Sequence, residues 1–230
     1  AHIEFFGTRD KIADAKLEIT HGLKEDGLFI YNGDEPLLRE RSKQVEQQQY
    51  TFGSSAADDL FASNVQSARD HTSFEINLVP DQTYEIPMIG KYNVMNALAA
   101  IAVAKAYHID PAKVGDALKN FQLTHNRTEW VRGSAGELIL SDVYNSNPTA
   151  AKEVLASFSQ TEIKGSRFAV LGDMLELGEQ SDLMHASLAN YLDPKLIQDV
   201  YLVGTHMKAL EQALKAKYAD DHIHWYTVEQ

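Results

Sequence analysis

Cysteine is absent from this chain of 230 residues. That excludes disulfides, zinc–thiolate centres and a cysteine nucleophile, and it fits a cytosolic protein. Long apolar runs are absent too: no window approaches the roughly 18 consecutive apolar residues of a membrane-spanning helix. Ala1-His-Ile-Glu-Phe-Phe-Gly7 has neither a basic start nor a cleavage pattern, so no signal peptide is expected. Positive charge is scarce. The formal net charge is -12 and no Lys/Arg cluster occurs, which argues against a nucleic-acid partner. The Gly-x-x-x-x-Gly-Lys-Ser/Thr loop that cradles a triphosphate occurs nowhere. Gly90-Lys91-Tyr92 lacks both the upstream glycine and the hydroxyl. A nucleotide-sized anion is still within reach, because it needs only local N–H donors, a cation or two, and usually magnesium.

The chain is 44% hydrophobic, enough for a core, and its length fits one large domain or two smaller ones. Arg9 to Leu23 reads as a helix with Ile12, Ala15, Ile19 and Leu23 on one stripe. Leu28-Phe-Ile-Tyr31 reads as a strand stopped by Asn32-Gly33-Asp34, and Glu40–Gln49 as a polar, exposed segment. Three stretches, Phe61–Ser67, Thr72–Leu78 and Thr83–Met88, predict a small half-exposed antiparallel section. Helices follow over Val94–Tyr107 and Pro111–Phe121, the second with Asp110 as N-cap. Leu123–Glu129 is polar and irregular, and a domain boundary is placed there. Beyond it strands and helices alternate: strands at Leu138–Leu140, Phe168–Leu171, Val200–Val203 and Ile223–Thr227, helices at Pro148–Phe158, Asp182–Leu192 and His206–Tyr218. Asn147 and Ser181 are candidate caps. Such alternation predicts a doubly wound α/β domain.

Two signatures place a carboxylate at the end of a strand-like run. These are Asp142-Val-Tyr-Asn-Ser-Asn-Pro148 and Leu171-Gly-Asp-Met-Leu-Glu-Leu-Gly178. Open parallel sheets bind ligands beyond the carboxyl ends of their strands, so Asp142 and Asp173 suggest one polar cleft. The helix read between the two strands makes them parallel. An aspartate in this position is also a common turn former or cap. Lys16 shares the apolar stripe of its helix. It either snorkels its ammonium to water or has a task near a nucleotide. His2 and Glu4, two apart in an extended-looking stretch, share a face that could bind a metal, although a surface pair is commoner. Asn93 fits a cap, and Asn96 either faces solvent or reads a base edge. Arg127 lies in the boundary segment, solvated or reaching a phosphate. For His185 a satisfied, partly buried setting is the commoner explanation.

Together with Ala1-His-Ile-Glu-Phe-Phe-Gly-Thr8, Ala15-Lys-Leu-Glu-Ile19 and Gly90-Lys-Tyr-Asn-Val-Met-Asn-Ala-Leu-Ala-Ala100, these elements occur in the order seen in Mur ligases. The chain resembles that family from residue 1 to about residue 205, and within it the branch that joins D-alanyl-D-alanine to UDP-N-acetylmuramoyl-tripeptide. The resemblance implies an α/β fold: the C-terminal part of a central ATP-binding domain over residues 1–124, then a Rossmann-like, doubly wound C-terminal domain over 125–230, incomplete at its end. It implies a piece of a longer enzyme, inactive alone, whose cofactors are ATP and Mg2+. By position Lys16 matches a lysine that becomes a carbamate and ligates magnesium, and His2 a histidine on the second magnesium. Asn96 matches an adenine contact, Arg127 an arginine near the ATP phosphates and Asp142 an aspartate on the ribose. Tyr144, Asn145 and Asn147 match the stretch facing the substrates. Asp173, Glu176 and His185 receive no defined task. The histidine usual before the first asparagine of the Gly-x-His-Asn motif is Tyr92 here. Two other readings stay open: a non-catalytic nucleotide-binding or scaffold protein of ligase descent, and a sister amide ligase with another amino substrate.

Overall fold

A computed structural model describes residues 3–122 and 124–228. The backbone divides into two compact units, Thr8–Thr124 and a second formed by Ala1–Gly7 with His125–Gln230. The first helix, α1 (Ile3–Phe6), belongs to the second unit, where the Glu4 N–H donates to the carbonyl of Glu176 at 3.2 Å. The stretch around Glu4 is thus one helical turn and not extended. His2 lies outside the described residues.

In the Thr8–Thr124 unit, Thr8 caps α2 (Arg9–Leu17) by accepting from the Lys11 N–H at 3.2 Å. The helix expected through Leu23 tightens after Leu17 into a 3-10 turn, Glu18–Gly22. The tighter winding shifts the phase of the following side chains, and Ile19 is 71% exposed. Next come β1 (Leu28–Asn32), α3 (Pro36–Arg41), β2 (Gln48–Gly53), β3 (Leu60–Ser67), β4 (Thr72–Ile76) and β5 (Val79–Ile86). All five strands form one sheet in sequence order. β1, β2 and β3 are mutually parallel, and β3, β4 and β5 antiparallel. The antiparallel section read from the sequence is therefore half of a larger mixed sheet. Residues 40–49 correct the reading of an exposed polar run. They include buried Ser42, whose hydroxyl donates to the Tyr31 hydroxyl at 2.8 Å, and the start of β2. Glutamines hide β2 in the sequence, but ladders to β1 and β3 on its two sides hold it.

The helix α4 (Tyr92–Ala106) lies over β1, β2 and β3. It buries Val94, Ala97, Leu98 and Ile101, the i, i+3, i+4, i+7 stripe of a core-facing helix. These meet Leu60, Phe74, Ile76, Tyr84 and Ile86 from the sheet. The helix α5 (Pro111–Asn120) packs on β5 and is capped by Asp110, which accepts from the Ala112 N–H at 2.9 Å. Tyr84 stacks on Phe74 with ring centroids 5.7 Å apart, and its hydroxyl donates to the Pro111 carbonyl at 3.0 Å. Burial pushes the Tyr84 hydroxyl above its usual pKa and keeps it a donor.

The second unit starts with a hairpin, β6 (Glu129–Arg132) and β7 (Leu138–Ser141). It continues with α6 (Pro148–Gln160), β8 (Phe168–Gly172), α7 (Ser181–Ala186), β9 (Asp199–Val203), α8 (Met207–Leu214) and β10 (Ile223–Tyr226). The last three strands are parallel, with β9 between β8 and β10. The strand end at Asp142 was expected to run parallel to that at Asp173. Instead β7 pairs antiparallel with β6, and among the described residues no ladder joins it to β8. A four-residue strand that starts at the end of the boundary segment, too short to show a period, supplies that partner. The core gathers Leu155, Leu188, Leu192, Ile197, Val200, Leu202, Leu210 and Leu214. The helix read over Asp182–Leu192 ends at Ala186 and continues as a 3-10 turn, Ser187–Tyr191; Ser181 is its first residue and not its cap.

Leu202 on the central strand is fully buried. Leu202→Ala is expected to cost the second unit about 2–5 kcal/mol in denaturant unfolding. The last strand is fastened by Asp199, whose Oδ1 lies 3.0 Å from His222 Nδ1 and 3.5 Å from His224 Nε2. The bond to Asp199 raises the His222 pKa above 6.5, and the bond to His222 holds the Asp199 carboxyl below 3.8. The His222 contribution is complete below 6.5 and disappears as pH rises through its raised value. That of Asp199 is complete above 3.8 and disappears as pH falls through its lowered value. The difference in Tm between the wild type and His222→Gln should therefore be largest between those limits and shrink as pH rises through the raised His222 value. A constant difference across a pH series would overturn this account.

Candidate functional site

The segment 125–147 in the second unit brings three of the expected site residues together. Asp142 follows β7 directly, and its Oδ1 accepts from the Thr128 N–H at 2.9 Å and from the Thr128 hydroxyl at 3.2 Å. One residue earlier, the Ser141 hydroxyl donates to Asn126 Oδ1 at 3.0 Å. Two residues later, the Tyr144 N–H donates to the Asn126 carbonyl at 3.2 Å. The boundary segment is thus zipped onto the strand end. Arg127 sits between Asn126 and Thr128, and its guanidinium carbon lies 4.2 Å from the centroid of the Tyr144 ring. Both side chains are exposed. A guanidinium on an aromatic face keeps its N–H edge for a planar anion, so Arg127 can bind phosphate or carboxylate.

Asn147 is spent on structure: Oδ1 accepts from the Thr149 and Ala150 N–H groups at 3.1 and 3.0 Å and caps α6. Asn145 is exposed and makes no hydrogen bond with the described residues. Thr128 escaped sequence reasoning because a β-branched residue gives no signal for the φ of 50° it adopts. Asn126, at φ 62°, is of a type that tolerates this region and could have been suspected.

The second signature is structural in its polar groups. Asp173 Oδ1 accepts from the Met207 N–H at 2.9 Å, which closes the start of α8, where His206 offers no side-chain cap. Gly204 has φ 119°, and a Cβ there would collide with the Asp173 carboxylate, so both features demand glycine. His185 has no exposed surface. Its Nε2 accepts from the Met174 N–H at 2.9 Å and its Nδ1 donates to the Ser181 carbonyl at 2.7 Å, a pattern that requires the neutral ring. Glu176 stands at φ 60° with its carbonyl on Glu4. Asp142 and Asp173 thus each hold a neighbouring backbone N–H through Oδ1.

In the Thr8–Thr124 unit, Lys16 is exposed at the end of α2 and makes no hydrogen bond or ion pair with the described residues. Asn93 does not cap α4. It lies in the first turn, buried, and its amide donates back to the Ile89 carbonyl at 2.8 Å. That leaves its Oδ1 to accept from Asn96 at 3.3 Å, so the exposed Asn96 amide is held by a neighbour. Among the described residues no group of three or more His, Asp or Glu could hold a metal ion. No helix among them is long and apolar enough to cross a membrane.

Comparison with known proteins gives a consistent answer. Residues 1–104 match the Mur ligase middle domain, and residues 126–230 the Mur ligase, glutamate ligase domain. The chain is 35% identical over 227 residues to a UDP-N-acetylmuramoyl-tripeptide–D-alanyl-D-alanine ligase of Bacillus subtilis, covering 99% of this chain and 49% of that protein. It superposes on MurF from Acinetobacter baumannii with a TM-score of 0.83 and 26% identity, covering 99% of this chain and 48% of the other. MurF from Thermotoga maritima, solved in complex with ADP, gives a TM-score of 0.76 at 22% identity, a likeness of fold, covering 100% and 56%. The chain spans about half the length of the curated relatives it matches.

His185→Ala should cost about 3 kcal/mol or more, because it opens a cavity and leaves the Met174 N–H unpaired. Denaturant unfolding measures this. A loss below about 1 kcal/mol would show that water replaces the imidazole without penalty.

Proposed function

Because the chain belongs to the Mur ligase family, we propose that it supplies ATP-binding and C-terminal parts of an ATP-dependent ligase that adds D-alanyl-D-alanine to UDP-N-acetylmuramoyl-tripeptide in peptidoglycan precursor synthesis. The main support is the 35% identity to the Bacillus subtilis ligase, which runs through both halves of the chain. A carboxylate is a poor electrophile. In the proposed reaction the tripeptide's terminal carboxylate oxygen attacks the γ-phosphorus of ATP and ADP leaves. The resulting acyl phosphate is attacked at its carbonyl carbon by the dipeptide amine, which loses a proton as phosphate departs. ATP supplies the leaving group.

This chain's own residues have defined parts in that scheme. Arg127, laid on Tyr144, meets phosphate oxygens with its N–H edge. Asp142 keeps Oδ2 for a ribose hydroxyl while Oδ1 holds Thr128. Asn96 presents its amide to the adenine, and Tyr144 and Asn145 face the peptide substrates. Lys16, exposed and without a partner among the described residues, is the residue open to carbamylation. The domain division proposed is 1–124 and 125–230, and the setting is the cytoplasm. With no phosphate-gripping loop in its sequence, the chain alone is inactive.

The test is phosphate release with ATP, UDP-N-acetylmuramoyl-tripeptide and D-alanyl-D-alanine. The 230-residue chain should give none, and robust turnover would overturn its inactivity. The product of the open reading frame that encodes it should carry a Gly-x-x-x-x-Gly-Lys-Ser/Thr upstream and release phosphate only when the dipeptide is present. Release with other amines but not this dipeptide would make it a sister ligase. A frame without that loop would make it a scaffold.

A further inference from the structure

Building on the phosphate role of Arg127, we propose that Thr128 is a positioning residue for that guanidinium, held in place by Asp142. The backbone on either side of Arg127 is left-handed, with φ 62° at Asn126 and 50° at Thr128. For a β-branched residue this conformation is costly and persists only when neighbours over-determine it. Here they do: one carboxylate oxygen takes both the N–H and the hydroxyl of Thr128. Buried Thr128 is therefore fixed at three points, its φ, its amide and its side chain, while Arg127 beside it is exposed.

The geometry leaves Arg127 little choice of direction. Its Cα is clamped between two residues whose turns are set by Ser141, Asp142 and the Tyr144 backbone. Its side chain then lies along the Tyr144 ring, which leaves the same strand end. A long side chain that is ordered before its anion arrives loses less rotamer freedom on binding. Thr128 thus acts through Arg127 and touches no substrate. Asp142 has a second task besides any ribose contact, because the same carboxylate that would face the sugar sets the phosphate ligand.

Nuclear magnetic resonance of this chain reads the effect directly. Protons on Arg127 Cδ, two bonds from the guanidinium carbon that lies 4.2 Å from the Tyr144 ring centroid, should be displaced upfield, with Tyr144→Leu setting the zero. Thr128→Ser, which keeps the hydroxyl, should retain the displacement. Thr128→Gly should lose most of it without a lower Tm, since glycine adopts φ 50° without strain. Asp142→Ala should lose it too, and Asp142→Asn, which keeps an acceptor, should preserve it. A Thr128→Gly protein that retains the full displacement overturns the positioning role, whether or not Asp142→Ala folds. Titration with ATP separates the two ideas. Arg127 Nε–H should respond in the wild type and several-fold more weakly in Thr128→Gly. An ordered Arg127 that ignores ATP in the wild type removes the phosphate role while its positioning by Thr128 stands.

Discussion

Thr128 is held where a β-branched residue is least at ease, and a single carboxylate oxygen holds it there. A conformation of this kind costs about 1–3 kcal/mol. Two hydrogen bonds to one ionised oxygen are of the stronger, charge-assisted kind and can offset that cost. The rest of the loop follows from this anchor. With Thr128 bound to Asp142, Asn126 comes within reach of Ser141 and of the Tyr144 amide, and the β6–β7 ladder begins at the next pair, Glu129↔Ser141. The hairpin and the loop are one cooperative object. A change at Asp142 is felt at Arg127 through Thr128.

The alternation that defines the second unit was legible because its signals are local. Asn147-Pro148 caps and starts α6, and Phe168-Ala-Val-Leu171 and Val200–Val203 are short apolar runs of the kind parallel strands require. In the first unit Asp110-Pro111 marked α5 for the same reason. What stayed hidden is held by partners and not by composition. The polar strand β2 exists because β1 and β3 ladder to it on two sides, and β6 because β7 needs a partner. The parallel arrangement of β7 and β8 was inferred from the helix between them, but that inference assumes both strands enter one ladder. The hairpin broke that assumption.

At the site, the residue types were legible and their division of labour was not. Asp142, Arg127 and Tyr144 stand out in the sequence, yet nothing in it says that the first arranges the second against the third. The information lies in two left-handed residues, and left-handed φ at threonine has no sequence mark. Asn93 was read as a cap because asparagine often accepts from the first helical N–H groups; here its amide donates backward, and its oxygen holds Asn96. Lys16 showed the opposite problem. The stripe that made it look out of place dissolves when the helix tightens after Leu17, and the Lys16 side chain is exposed.

A group whose donors and acceptors are already satisfied inside the fold cannot serve a ligand without giving up bonds worth about 1–3 kcal/mol each. That criterion divides the polar residues of the two signatures. Asp173 closes α8, His185 spends both ring nitrogens on backbone, and Asn147 caps α6, so the second signature and the end of the first are bound up in holding loops to helices. Arg127, Asn145 and Asp142 Oδ2 keep capacity, as does Lys16 in the other unit. Taken together, these two signatures therefore mix two kinds of constraint, and neither position nor residue type separates them. The hydrogen-bond accounting does, because a chemistry that must recur each turnover can only use groups that the folded chain leaves unspent.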